Sequence, residues 1–271
     1  MRAAARGSWR TRASATLPIV ALALACESGT SATDEGETDG HETGGVDTDA
    51  AGPEDAPAGC ELETPGPRPR LVRLTHAQYD STVRDLLPGV DMWPSSQFIA
   101  DPLHGGFDNN AAALSVTSRL ARDYRRAAEE VAARAVERPH TLRAYAACLE
   151  AAGDPLELSE AAGESCAREL IAAIGRRVYR RPLSDAQRQA YLERYRAGAG
   201  LYEDGAPFAQ GVRLVLETML QSPRFLYRVE LSDDVAAGGD AIALDGYELA
   251  TRLSYLLWNS TPDDALLDAA E

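Results

Sequence analysis

The sequence contains no lysine, so every basic side chain is an arginine. Because alanine is abundant as well, we interpret this bias as genomic composition rather than as chemistry. Several catalytic motifs are also missing: there is no G-x-S-x-G elbow, no Walker loop, no dinucleotide fingerprint, and no H-E-x-x-H or H-x-x-x-H pair among the four histidines. The sequence therefore indicates no particular reaction, no metal site and no catalytic residue.

Positive charge is scarce. The net charge of −15 disfavours a nucleic-acid partner, because nucleic-acid binding needs a cationic face. Residues 27–63 contain twelve acidic residues and no arginine. The segment 26–69 has almost no large apolar residue, so it cannot offset the entropy of ordering, and its like charges repel. We predict a disordered acidic tether that holds a folded body away from a membrane or wall.

The longest N-terminal apolar run, Ala13–Ala25, is too short to span a bilayer. It follows four arginines and ends at small residues, which predicts an export signal over residues 1–25. In "ALALAC", Cys26 stands at the lipidated position of a bacterial lipobox, although Ala23 occupies the place where leucine is usual. Ala23-Leu24-Ala25 also satisfies the ordinary cleavage rule. We therefore predict a membrane-anchored lipoprotein on the periplasmic or outer-surface side, with a soluble secreted product as the alternative.

Cysteine is scarce too, with Cys60, Cys148 and Cys166 remaining after Cys26. Cysteines of an exported chain are disulfide candidates. Cys148 and Cys166 flank a short loop at two predicted helix ends, so we pair them. Metal binding is the weaker alternative, because no C-x-x-C or nearby histidine accompanies them. Cys60 has no evident partner.

Long stretches in which apolar and polar residues alternate with period two are absent, and the pattern predicts that the folded body consists of helices. Capping boxes are predicted at Thr75/Gln78, Ser184/Gln187 and Asp245/Glu248. The fold class is all-α, an irregular multi-helix bundle after the tether. Its predicted domains are 70–140, 141–235 and 242–271, with a helix over 142–149 inside the second. The last one ends within an amphipathic helix, which predicts a fragment of a longer protein.

Charged residues along these helices are interpreted as solvated or ion-paired surface. This interpretation covers Arg122, Arg126, Glu130 and Arg134 on the second helix. The arginines at 176, 177, 180 and 181 form the most basic part of the body. An anion site is their alternative interpretation, since guanidinium groups bind carboxylate and sulfate in a bidentate manner.

The stretch "HGGFDNN" is the most unusual local pattern. His104, Asp108, Asn109 and Asn110 are weak ligand-site candidates, but carboxylates are too few for a calcium loop. Glycine and asparagine favour turns, and we expect a structural corner in which Phe107 enters the core while Asp108 and Asn109 bond to backbone amides. A polar ligand site is the alternative.

Three long stretches resemble the planctomycete surface domain family. "RLTHAQYDSTVRDLL" with "GFDNNAAALSV" and "YRRAAEEVAARAV" is similar to its third domain type, and "CARELIAAIGRRVYRRPLSDAQ" with "GVRLVLETMLQSPRFLYRVE" to its fifth. "LDGYELATRLSYLLWNSTPDDALLDAA" resembles the opening of its fourth. The resemblance implies an exported multi-domain bacterial protein of unestablished role. Many members carry a c-type haem domain, but this chain has no C-x-x-C-H, so we predict no cofactor in it.

These observations favour an exported, lipid-anchored module that mediates binding or assembly. Its expected partners are the membrane, through the anchor, and a protein or glycan at the cell surface. The alternative is a scaffold fragment of an extracytoplasmic haem-linked oxidative system, which rests on the resemblance alone.

Overall fold

The computed structural model describes residues 70–150, 158–232 and 242–271. They all belong to one compact unit, Glu63–Glu271. The predictions about the export signal, the lipidated Cys26, the tether at 26–69 and Cys60 lie outside the described residues.

Helices dominate the described residues, and the predicted all-α class is confirmed. The two strands are β1 (Leu71–Arg73) and β2 (Tyr227–Val229). The helices are α1 (His76–Leu86), α2 (Ser118–Glu137), α3 (Glu160–Tyr179), α4 (Asp185–Gly198), α5 (Pro207–Leu220), α6 (Pro223–Leu226), α7 (Gly246–Leu257) and α8 (Asp264–Ala269). Short 3₁₀ turns occupy Pro94–Gln97, Pro139–Thr141, Arg143–Tyr145 and Ala147–Glu150.

The helix starts follow local side-chain chemistry. All three predicted capping boxes are present, at the N-termini of α1, α4 and α7. In the first of them, Thr75 Oγ1 accepts from the Gln78 N–H at 3.2 Å, while Gln78 Oε1 accepts from the Thr75 N–H at 3.1 Å. These reciprocal bonds satisfy backbone donors that a helix end leaves unpaired.

The predicted helix over 142–149 is wrong. Three separate 3₁₀ turns cover Pro139–Glu150, and Ala146 interrupts them with an extended backbone. Arg138 and Leu142, which precede the first two turns, make no side-chain hydrogen bond that would cap them. The Cys148–Cys166 disulfide is present as predicted, with Cα atoms 5.7 Å apart, and it ties the last turn to α3.

A small antiparallel sheet joins distant parts of the chain. Leu71 pairs with Val229 and Arg73 with Tyr227, so β1 and β2 are hydrogen-bonded across more than 150 residues. Strands of three residues are too short to show a period-two pattern, which is why the sequence did not reveal them.

The core is continuous from α1 to α6. Its aromatic centre joins Tyr79 of α1 to Phe98, Tyr124 and Phe225, with ring centroids 5.4 to 5.6 Å from the Tyr79 ring. Tilted and edge-to-face pairs of this kind add to the energy of area burial. The cluster fixes α1, α2 and the segment before α2 relative to one another.

The arginine cluster at the end of α3 pairs with the last two helices. Arg176 and Arg177 contact Asp264 and Asp268 of α8, and Arg181 contacts Asp245, which caps α7. These three arginines are therefore ion-paired, as the favoured interpretation of the sequence predicted. Arg180 is different, because it is buried and donates to backbone carbonyls and to the Tyr255 hydroxyl.

Candidate functional site

A groove runs along α2, and we call it the α2 groove. One wall is α2 itself, and the other is the segment 92–98 that contains the Pro94–Gln97 turn. The cavity measures about 180 Å³. Its α2 wall consists of Asp123, Arg126, Ala127, Glu130 and Arg134, and its facing wall of Met92, Trp93, Pro94, Ser96, Gln97 and Phe98.

The facing wall is held by a buried carboxylate of α1. Asp80 Oδ1 accepts from the Ser95 N–H at 2.9 Å, and Asp80 Oδ2 accepts from the Ser95 hydroxyl at 2.6 Å. Phe98 closes the end of this wall, with its ring 5.1 Å from the Tyr124 ring. Both contacts fix the backbone of residues 95–98, so the groove is supported by the core rather than by a free loop.

Asp123 is the most unusual side chain of the groove. The residue is only 9 % exposed, and its Oδ2 atom is buried without a hydrogen-bond partner in the described part of the chain. Its other oxygen, Oδ1, lies 3.9 Å from Arg126 Nη1, which is an ion pair without a short hydrogen bond. A buried carboxylate oxygen normally has a donor, because leaving it without one is costly.

The rest of the groove is charge-balanced and partly aromatic. Arg134 Nη2 donates to Glu130 Oε1 at 2.7 Å, one helical turn away from the Asp123–Arg126 pair. Trp93 is 56 % exposed, and the Arg84 guanidinium lies 4.1 Å from its ring centroid. Cation–π contact of this kind restrains an exposed indole. The groove therefore combines a buried acceptor, two ion pairs and an aromatic surface.

Sequence reasoning missed this site. It treated Arg126, Glu130 and Arg134 as a solvated face; their side chains are 37–69 % exposed, as expected, and all three also line the α2 groove. One signal was available: Asp123 follows Leu120 by three residues and precedes Ala127 by four, so it lies on the apolar stripe of α2. A carboxylate on such a stripe needs an explanation. Trp93 gave no signal, because residues 90–113 lack a period.

The "HGGFDNN" stretch forms an exposed turn outside the groove. His104 and Phe107 exchange two backbone hydrogen bonds, at 2.8 and 3.1 Å, around Gly105 and Gly106, both with positive φ. The expected turn chemistry at the glycines is therefore present, since glycine adopts positive φ without a Cβ clash. The expected role of Phe107 is wrong, because its side chain is exposed (68 %) rather than part of the core.

The polar candidates of this loop do not converge on a site. His104, Asp108 and Asn109 are exposed. Asn110 Oδ1 accepts from the Ala112 N–H at 3.0 Å, and this short turn belongs to the loop itself. The ligand-site interpretation of these four residues stays a prediction.

Asp101, just before the "HGGFDNN" loop, holds this part of the chain to the rest of the fold. This carboxylate is hydrogen-bonded to the buried Arg73 guanidinium, and its Oδ2 accepts from the His76 N–H at 3.0 Å. Arg73 also donates to the Tyr124 hydroxyl at 2.8 Å. The His76 Nε2 atom is 3.2 Å from Asp101 Oδ1, but it lacks hydrogen-bond geometry. The oxygens of Asp101 are thus engaged within the protein.

Burial affects the titration of two groups in this anchor. It lowers the pKa of His76 below its ordinary value of 6.5, and the Asp101 charge opposes this effect only in part. Burial also raises the pKa of Tyr124 to about 12, while Arg73 acts in the opposite direction. At neutral pH, His76 and Tyr124 are therefore neutral.

Two further observations concern metal and membrane. Within residues 70–150, 158–232 and 242–271, no three His, Cys, Asp or Glu side chains are grouped as a metal site would require. No helix in the same ranges is long and apolar enough to cross a membrane.

A second exposed surface lies on α7. Its apolar side chains at 249, 253, 256 and 257, together with Trp258 at the helix end, are between 39 % and 79 % exposed. Leucines at this spacing form one stripe of a helix. This stripe is apolar throughout, in contrast to the mixed polar and aromatic α2 groove.

Sequence comparison identifies three domains along the chain. The PSD3 domain, "Protein of unknown function (DUF1587)", matches residues 72–137 and thus includes both walls of the α2 groove. PSD5, "Protein of unknown function (DUF1595)", matches residues 166–230, and PSD4, "Protein of unknown function (DUF1592)", matches residues 244–271. No curated protein and no solved structure gives a significant match. The chain belongs to the family of proteins built from these PSD domains, the family indicated by its sequence motifs, whose function is not established.

Proposed function

We propose that this chain is an exported, lipid-anchored binding module of the bacterial cell surface, and that the α2 groove is its recognition site. The sequence of residues 1–69 supports the location, through an export signal, a lipobox-like Cys26 and an acidic tether. Haem-linked oxidative chemistry, the alternative from the sequence, gains no support from any particular residue.

One observation supports the binding role: Asp123 lies in the wall of an open groove, and its buried Oδ2 atom has no hydrogen-bond donor among the described residues. Burying a carboxylate oxygen without a donor costs about 1–3 kcal/mol. A ligand donor recovers this energy only by drawing the carboxylate into the groove, because the Oδ2 atom has almost no accessible surface in the free protein. A buried polar group without a partner in a native structure needs an explanation, and a ligand-binding role is the one proposed for Asp123.

The residue types of the groove favour recognition over catalysis. Its lining offers carboxylate, guanidinium, amide and hydroxyl groups beside apolar surface, but neither histidine nor cysteine. Pockets with a few placed polar groups on an apolar lining are typical of small-ligand sites.

The binding role is tested by thermal-shift measurements on the full-length protein. The probes are neutral hexoses and hexose oligomers, uronic acids, amino sugars, and dipeptides of either charge. We expect at least one of these classes to raise the melting temperature of the wild type and, at the same ligand concentration, to raise that of Asp123→Ala much less. If every class leaves the wild type unchanged, the α2 groove is not a recognition site for these ligands and the proposal fails.

Two controls separate a ligand role from a structural role. Glu129→Ala removes a carboxylate of the same helix that pairs with Arg125 but does not line the groove, so it should respond to ligand like the wild type. Without ligand, Asp123→Ala should be at least as stable as the wild type, because it removes an unsatisfied buried oxygen. A clear loss of stability would identify Asp123 as a structural residue instead.

The anchor is tested independently with labelled palmitate in a bacterial host. We expect the wild type to incorporate the label and to sediment with membranes, and Cys26→Ala to do neither. A wild type that takes up no label would contradict the lipoprotein prediction and favour the secreted product.

A further inference from the structure

We infer that the α2 groove binds a neutral pyranose unit of a glycan. This inference rests on the proposed function and specifies the ligand of the same site. Four properties of the groove carry it: charge balance, an exposed aromatic face, the types of hydrogen-bonding group, and size.

Charge balance argues against an ionic ligand. Arg126 is the ion-pair partner of Asp123, and Arg134 is the partner of Glu130. Each carboxylate in the groove thus has its own guanidinium. A ligand with a net charge would be attracted by one member of each pair and repelled by the other, so the groove offers a neutral ligand the better match.

The apolar surface suits a ring with one hydrophobic face. Trp93 is more than half exposed, and the Arg84 guanidinium covers one face of its indole, which leaves the opposite face for a ligand. Met92 and Phe98 of the same wall are half-buried, and Ala127 lies on the α2 wall. A pyranose presents axial C–H groups on a face and hydroxyl groups around its rim. Stacked on an indole, such a ring buries its apolar face while its hydroxyls reach the polar groups.

The polar groups require a ligand that both donates and accepts. The Asp123 carboxylate, whose side chain is 11 % exposed, accepts only, and the guanidinium of Arg126 donates only. The Gln97 amide and the Ser96 hydroxyl, both exposed on the facing wall, do either. Adjacent sugar hydroxyls satisfy all of these groups at once, because each hydroxyl donates one hydrogen bond and accepts others.

The size and exposure of the groove favour one unit of a polymer. Its volume of about 180 Å³ is below the roughly 300–1,000 Å³ of pockets that enclose a drug-sized ligand. Arg126, on the α2 wall, is 69 % exposed in its side chain, and Trp93 is exposed on the facing wall. A single sugar ring therefore fills the groove, while the rest of a chain extends into solvent.

The test uses the full-length protein and Trp93 as the reporter. Tryptophan fluorescence is titrated with neutral hexose oligomers, with oligomers of a uronic acid and of glucosamine as charged comparators, and with dipeptides. We expect saturable binding of at least one neutral oligomer, and charged comparators that bind about tenfold more weakly, the factor of one good hydrogen bond. Ligand-observed NMR checks each result without the tryptophan signal.

Variants locate the binding. Trp93→Ala and Asp123→Ala should each weaken binding about tenfold or more, since each removes one recognition element. Trp258→Ala removes another exposed indole, at the end of α7, and should bind like the wild type. Circular dichroism confirms that all variants fold. Equal losses in Trp258→Ala and Trp93→Ala would place the sugar elsewhere and overturn the inference.

The outcomes distinguish this inference from the proposed function. If only charged sugars or dipeptides bind, and Asp123→Ala abolishes that binding, the neutral-sugar inference is wrong while the groove remains the recognition site. If no probe of any class binds the wild type, both fail.

Discussion

Arg180 is only 3 % exposed, and its charge is not balanced by a direct carboxylate contact in the described residues. Its guanidinium donates instead to the carbonyl oxygens of Arg224, Phe225 and Tyr227, at 2.8 to 3.2 Å. The Tyr255 hydroxyl receives two more donations, from Nε at 3.1 Å and from Nη2 at 2.9 Å. Hydrogen bonds to a charged donor are stronger than neutral ones, and several of them keep a guanidinium buried without a counterion.

Loss of the Tyr255 hydroxyl should destabilise the fold. This group accepts from Arg180 and lies 2.9 Å from the buried Thr82 hydroxyl, so Tyr255→Phe leaves polar groups of both residues unpaired. We expect a loss of about 1–3 kcal/mol in the free energy of unfolding, measured by urea denaturation. Tyr247→Phe is the matched control, because this tyrosine lies on the same helix and its hydroxyl has no such partner among the residues that the structure describes. The cost of this substitution should stay within about 0.5 kcal/mol. Equal effects of the two substitutions would contradict the prediction.

His76 should make stability depend on pH near neutrality. Burial lowers its pKa in the folded state below the ordinary 6.5, so the unfolded chain binds this proton at a higher pH than the folded chain does. Stabilisation from neutral His76 is complete above pH 6.5 and is lost as the pH falls through the folded-state pKa. The free energy of unfolding of the wild type should therefore decrease relative to that of His76→Gln between about pH 7.5 and 5.5. A constant difference between the two proteins over this range would refute the assignment.

At the scale of elements, α4 and α5 approach so closely that two glycines are required. A Cβ on Gly211 would lie 2.5 Å from the Tyr195 ring and 2.6 Å from its carbonyl oxygen. A Cβ on Gly198 would lie 2.7 Å from the Cα of Gly211. The two helices thus pack backbone against backbone at this crossing.

The close approach of α4 and α5 predicts that a Gly→Ala substitution, which usually stabilises a helix, destabilises this protein. Gly→Ala inside a helix ordinarily stabilises by about 0.5–1 kcal/mol, because alanine has the higher helix propensity. Gly211→Ala should instead destabilise by about 1–3 kcal/mol, since the methyl group overpacks the interface with Tyr195. Thermal denaturation measures the change, and a melting temperature equal to or above that of the wild type would contradict the packing described here.

At the scale of the molecule, the three PSD segments depend on one another. β1 and β2 pair the first segment with the second, and the Tyr255 hydroxyl of the third contacts Thr82 of the first and Arg180 of the second. Ser260 of the third segment also donates to Asp85 of the first at 2.5 Å. Buried contacts of this kind couple the segments more strongly than the polar interfaces typical of separate domains.

This coupling predicts one cooperative unfolding transition for residues 70–271. Far-ultraviolet circular dichroism and tryptophan fluorescence should give the same midpoint in urea. Gly211→Ala in the second segment and Tyr255→Phe in the third should each move the whole transition. Two separable transitions, or a variant that shifts only one signal, would show that the segments unfold independently.

Much of the molecule could be predicted from the sequence, because the signals are local. The capping boxes at Thr75, Ser184 and Asp245, the apolar stripes of α1 and α2, and the Cys148–Cys166 pair depend on neighbouring residues or on a short loop. Positive φ at Gly105 and Gly106 follows from the same kind of chemistry. The stretch 139–150 was wrongly predicted to contain a helix at 142–149, because the sequence pattern does not distinguish three short 3₁₀ turns from a short helix.

What the sequence alone determined is therefore the helical class, the helix starts, the disulfide and the family. Only the tertiary structure decided which side chains meet. It exposed Phe107, placed Arg126, Glu130 and Arg134 on a groove wall, and buried Arg180 among carbonyls. The same holds for Asp123: the sequence period puts it on the apolar stripe of α2, but only the tertiary packing leaves its Oδ2 atom buried and without a hydrogen-bond donor in the described residues. Contacts between residues far apart in the sequence determine which side chains are buried and which side chains pair. Local sequence patterns do not predict these contacts.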